Sequence, residues 1–163
     1  MAKNQFKLTG MKTISKNLNK EILLMKGKTL AGLISASIVV RRKMASTPPL
    51  VPVDTRNLDH SWFVVTAKNI NDGNSPSFKG EDKGEMVTKH QEVIGEEKSG
   101  LATIKIPMLT MGFSANYAIY VHERVGDDIN YQRPNSGIHF FKSALEKSKP
   151  EMLQAIKNHA KIR

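Results

Sequence analysis

Cysteine is absent from this 163-residue chain. That excludes a disulfide scaffold and any thiolate metal site, and leaves the fold indifferent to redox compartment. Aromatic residues are scarce at 6%, with one tryptophan, three tyrosines and six phenylalanines, so each stands out as a candidate for core or contact. No apolar run approaches the roughly 20 residues of a membrane span. The longest, Leu30 to Val40, is broken by glycine and serine, so no membrane partner is expected. The opening Ala2-Lys3-Asn4-Gln5 has no apolar core and small-residue cleavage site behind it. The protein is therefore expected to work where it is made. Acids are nearly missing from the first third. Residues 1–56 hold eleven Lys and Arg against two acids, a balance of +9, while the rest holds fourteen against thirteen.

Catalytic patterns are missing too. His122-Glu123 is followed by glycine at position 126, so the paired-histidine spacing of a helical zinc protease fails. His60, His90, His139 and His159 each lack a second histidine at ligand spacing, and Asp59 beside His60 makes no site by itself. Glu81-Asp82 and Glu96-Glu97 lie in a polar stretch, where solvated charge suits them better than acid–base work in a desolvated cleft. Gly10, Gly27 and Gly32 are scattered and form no phosphate cradle, and neither Ser61 nor Ser114 has the context of a nucleophile. The expectation is a non-enzyme with no catalytic residue, no cofactor, no metal and no small-molecule ligand.

What is present fits one domain with a real core. Its 39% hydrophobic content is low-normal for a globular protein. In segment 1–46, Met11, Ile14, Leu18, Ile22 and Met25 step by three and four, and Leu30, Leu33, Ile34, Ala36, Ile38 and Val39 resume an apolar face before Arg41-Arg42-Lys43. The spacing predicts two helices, about 10–25 and 28–45, or one bent at Gly27. Its lysines read either as a solvated face or as a surface for DNA or an acidic partner.

Segment 47–68 opens on Ser46-Thr47-Pro48-Pro49, which stops the helix. Asp54 or Thr55 can then cap a short turn that tucks Leu58 under a sheet, and Trp62 to Thr66 reads as a strand. Segment 69–100 is rich in turn formers and reads as a long insertion, either a loop or an arm ordered in an assembly, with Met86-Val87 and Val93-Ile94 as a weak hairpin.

In segment 101–137, Leu101 to Pro107 alternates as a strand that Met108 to Phe113 continues or bends at Gly112. The stretch Met111 to Arg124 follows this with a small-residue turn at Ser114-Ala115-Asn116 and a tight helical turn. Its Tyr117, Tyr120 and Val121 share a face while His122 and Glu123 point to a rim. That is an aromatic anchor with a polar edge, suited to packing and subunit contact. A polar loop runs from Gly126-Asp127-Asp128 to Gly137. Segment 138–163 reads as a terminal helix, Ile138 to Ile162, with Phe140, Phe141, Leu145, Met152, Leu153 and Ile156 inward and Pro150 kinking or splitting it. The class expected is α+β, a small antiparallel sheet packed with N-terminal and C-terminal helices.

This order of pieces resembles the small head–tail joining proteins of tailed bacteriophages, also called neck or minor tail-completion proteins. The likeness rests on Pro52-Val53-Asp54-Thr55 followed by Leu58 and Ser61-Trp62, then Gly112-Phe113, Tyr117-Ala118 and Tyr120-Val121-His122-Glu123, and last Phe140-Phe141 with Ala144-Leu145. It spans most of the chain outside 69–100. Where that pattern has glycine after the Asp-Thr pair, this chain has Arg56. A left-handed turn would strain arginine, so a different local backbone is expected.

The resemblance implies a homo-oligomeric ring, six- or twelve-fold, in the virion between portal or adaptor and tail, with DNA passing through its lumen in non-specific contact. It implies neither catalysis nor a cofactor. Interface candidates are Tyr117, Tyr120, His122, Glu123 and Arg41, Arg42, Lys43. Asp54, Thr55, Leu58, Trp62, Gly112, Phe113, Phe140 and Phe141 carry the structural motif. A tail terminator ring and a small basic nucleic-acid-binding protein outside any virion are the competing readings.

Overall fold

The computed structural model describes residues 11–124 and 131–161. The first residues of the chain, Gly126-Asp127-Asp128 of the polar loop and Ile162 lie outside the described residues. Eight elements follow in order: α1 (Met11–Ser46), α2 (Asn57–His60), β1 (Trp62–Thr66), β2 (Ile70–Asp72), α3 (Lys83–Ala102), β3 (Leu109–Phe113), α4 (Ala118–Glu123) and α5 (Phe140–Ala160). The fold is α+β. The sheet is antiparallel with order β2-β1-β3, and α1 and α5 pack as a pair on one side of it.

β1 is buried along its whole length because both of its faces are covered. Trp62 and Val64 point toward α1 and α5, joining Val40, Met44, Val51, Leu58, Phe140 and Ala144 in the larger core. Phe63 and Val65 point the other way, onto Ile94 and Leu101 of α3. A five-residue run of aromatic and β-branched side chains fits a central strand packed on both sides. Its pairing with β3 is regular from Trp62↔Phe113 to Thr66↔Leu109, while the pairing with β2 carries an irregularity at Val64/Val65.

Several expectations are corrected. α1 is one continuous helix of 36 residues through Gly27, whose missing side chain faces open space. The cost of glycine there, about 1 kcal/mol, is small against the packing of the helix's second half. The united helix is also long and apolar enough, by length and composition, to cross a membrane, with a mean hydropathy of 1.5 over its best window. Its glycine and serine breaks conceal that length in the sequence. Lys26 and Lys28 stand in α1 as well, and α5 packs along its second half.

Segment 69–100 is no long loop, since β2 and most of α3 lie within it, and Met86-Val87 and Val93-Ile94 sit on that helix instead of in a hairpin. Leu101 to Pro107 is not a strand. Leu101 is the buried last turn of α3, and only Leu109–Phe113 pairs with β1. Pro150 does not split α5. It stands on the exposed side, as does Glu146, whose carbonyl it leaves without a helical N–H partner.

Two backbone positions lock the layers. Gly32 lets α1 approach α5 closely, because a Cβ there would lie 2.9 Å from the Cα of Ile156. Arg56 takes φ 69, the left-handed turn that the sequence argued against, and enters α2 as its N-terminal flank. The strain is held in place by the structure after it. Arg56 O accepts from His60 N–H at 2.9 Å, and the side chain of buried Asn57 bonds both the N–H and the C=O of Lys79 at 2.8 Å.

Gly32→Ala is expected to push the two helices apart and cost about 1–3 kcal/mol in chemical denaturation. An unchanged midpoint would show that the helix pair absorbs the methyl.

Candidate assembly interface

The residues singled out by the sequence divide between an internal scaffold and an outer surface. The scaffold is built around Trp62. Phe113 meets its ring edge-on at 5.3 Å between centroids, and Phe141 does the same at 5.8 Å. Phe140 packs edge-on against Phe113 at 5.6 Å. Trp62 Nε1–H donates to Asp72 at 3.0 Å, and the Arg41 guanidinium lies 5.5 Å from the ring centroid. Each such aromatic pair contributes about 0.5–1.5 kcal/mol beyond the area it covers. Gly112 sits opposite Phe63 in the β1–β3 pairing, and a Cβ there would meet that ring at ordinary contact distance. Asp54 accepts from Gln132 at 3.0 Å, and Thr55 Oγ1 accepts weakly from Asn57 N–H at 3.4 Å.

Arg41, Arg42 and Lys43 are engaged within the chain. Arg41 pairs with Asp59 at 2.8 Å, and Glu151 of α5 accepts from Arg42 at 3.1 Å and Lys43 at 2.9 Å. The Lys43 contact, followed by Arg42, holds the Glu151 carboxyl below its ordinary range. What this ion cluster contributes is present at neutral pH and fades as the pH falls through that lowered value. It is exposed, so the contribution is small.

The turn at 117–123 is split differently from its expected face. Tyr117 and Val121 pack against the core, whereas Tyr120 is 76% exposed beside exposed Ile119. Burial, and then the charge of Asp54, push the Tyr117 phenol upward. His122 turns inward onto Phe140, with ring centroids 5.0 Å apart. Its Nε2 accepts from Lys142 N–H at 3.3 Å, an unpaired amide in the first turn of α5. That fixes the proton on Nδ1, which donates to Glu123 at 2.6 Å.

His139, at the start of α5 with φ 55, joins the group with Nδ1 3.5 Å from the second Glu123 oxygen. Sequence spacing kept these histidines apart; the fold brings them together. Among the described residues, His122, Glu123 and His139 form the group whose ligand-type atoms lie within 4.8 Å of one another. The proton on His122 Nδ1 and the positive end of α5 suit a carboxylate held by two histidines better than a cation held by all three.

Sequence reasoning missed His90. It is fully buried on α3, with Nε2 2.6 Å from Gly73 O and Nδ1 2.6 Å from Ser114 Oγ. Nε2–H donates to the carbonyl and Nδ1 shares a hydrogen bond with the hydroxyl, so the ring ties β2, β3 and α3 together. Gly73 at φ 80 makes the turn that aims its carbonyl there. Comparison with protein-family models, curated proteins and solved structures finds no match.

Two outcomes test this partition. Tyr117→Ala is expected to lower stability by about 1–3 kcal/mol and Tyr120→Ala by less than about 0.5. Stability should also fall as the pH rises past the ordinary phenol value, and Tyr117→Phe should remove that slope; a thermal-unfolding series against pH reads both. His90→Leu roughly keeps the volume but leaves the Gly73 carbonyl without its donor, which should cost about 1–3 kcal/mol in denaturant midpoint with no change of slope.

Proposed function

We propose that this chain is the subunit of a structural ring at the head–tail junction of a tailed bacteriophage, a neck or connector protein through which DNA passes. One observation carries the reading. From each fragment that resembles the head–tail joining proteins after residue 55, apolar members such as Leu58, Phe113, Tyr117, Val121, Phe140 and Phe141 meet in a single packed unit around Trp62, while Asp54, Thr55, Tyr120 and Glu123 stay on the surface. Residue types shared with a family in that order, and spent for the greater part on one core, point to a common scaffold more than to shared chemistry. The exposed Ile119 and Tyr120 on α4 suit a contact between subunits. A heterologous contact that closes on itself makes a ring, and a channel lined by such subunits can meet phosphates without reading sequence. Portal or adaptor and tail proteins would be its neighbours.

The lysines exposed along the first half of α1 favour one competing reading, a basic nucleic-acid-binding protein. Negative-stain microscopy with size-exclusion chromatography separates the two. Rings are expected. A monomer or dimer whose DNA affinity falls steeply with salt would establish the competing reading instead.

A further inference from the structure

The stripe that buries α1 against its own fold does not stop where its partner does. Leu33, Ala36, Val40 and Met44 lie on one face of the helix and pack inward or toward α5. Counted back at the same helical spacing, that face continues through Ile22, Leu18 and Ile14. The antiparallel α5 gives out first. Ser35 Oγ meets His159 at 2.9 Å and Lys28 Nζ reaches Lys161 O at 3.3 Å, close to the last turn of α5. Beyond that level residues 12–24 are exposed on every side, with Ile14 at 65%, Leu18 at 59% and Ile22 at 44%. A helical stretch of this length draws its stability from packing, and bare branched residues in register with a buried stripe mark a missing partner.

Charge says which partner. Residues 12–28 carry Lys12, Lys16, Lys20, Lys26 and Lys28 against Glu21 alone. Two such stretches side by side would repel, which argues against a symmetric pairing of α1 with α1. The opposite sign sits on α3 and the residues leading into it. Residues 81–98 hold six acids against three lysines, and Glu85, Glu92 and Glu96 point outward, away from His90 and Ile94. Directly after α3, Ile104, Ile106 and Met108 are exposed as well, Ile106 at 66%. A basic helix edged with aliphatics and an acidic helix followed by aliphatics are complementary surfaces, joined within one chain at the base of the exposed stretch, where Lys26 Nζ donates to Lys105 O at 2.9 Å.

We propose that the first half of α1 docks on α3 and residues 104–108 of a second copy of this chain, head to tail. This rests on the ring reading above and names the contact that would build the ring. Each subunit offers one donor surface and one acceptor surface, so the contact propagates and closes only as a ring.

The test uses the full chain with two charge-reversed variants, Lys16→Glu/Lys20→Glu and Glu92→Lys/Glu96→Lys, followed by light scattering on a sizing column over a concentration series. All four positions are exposed, so circular dichroism and thermal unfolding should match the original chain. Each variant alone is expected to self-associate more than about tenfold more weakly. An equimolar mixture of the two should regain the assembly, because residues 12–24 of the first variant change from +2 to −2 while residues 81–98 of the second change from −3 to +1. If the original chain assembles and either variant does so equally well, this contact is overturned and the ring reading stands. The contact is overturned in the same way if both variants fail and the mixture does not recover. A chain that stays monomeric throughout the series overturns the ring reading and this contact together.

Discussion

The burial of β1 on both faces is the constraint from which the remaining arrangement follows. A five-residue strand covered on both sides needs one layer for each side, and the chain supplies one from its two end helices and the other from its middle. α1 and α5 close over Trp62 and Val64, and α3 closes over Phe63 and Val65. Trp62 is the joint. Its indole is wedged between two phenylalanines that come from β3 and α5, its N–H is tied to β2, and a cation from α1 sits by its ring. Four elements are positioned by a single side chain, in a protein with only one tryptophan.

That dependence explains why polar groups appear where they do. Sandwiching a strand leaves its connecting turns against apolar surface, where unpaired backbone groups are costly. Asn57 and His90 meet that need. One side chain satisfies both backbone groups of Lys79, and the other satisfies Gly73 and Ser114. His122 does similar service for the first turn of α5. Three polar side chains that could suggest chemistry are occupied in holding loops and helix ends.

The parts legible in the sequence were those with one strong period. The α1 stripe and the β1 run announced themselves, and so did the aromatic pair that opens α5. α3 did not, for a physical reason. Its inward positions are His90, Ile94 and Leu101, so one of the three is a histidine that pattern reading counts as polar, and Gly84, Gly95 and Gly100 dilute the remainder. Alternation at 101–107 mimicked a strand because the end of a helix and the turn after it happen to alternate. The Tyr117 turn was legible as a helix but not in its facing, because Tyr117 stands at the cap and Tyr120 comes round to solvent. The meeting of His122 with His139 depends on a return of the chain that no local spacing encodes. The left-handed Arg56 shows that a strained conformation can persist without glycine when the following turn fixes it.

Gly32 gives α1 a character that its length alone would not. The helix is clamped at Gly32, where its backbone presses on α5, and runs on to Met11, about 30 Å at 1.5 Å per residue. A beam held at one end magnifies at its tip whatever rotation its seat allows. A rotation at the seat therefore displaces the outer lysines much further than it displaces the core.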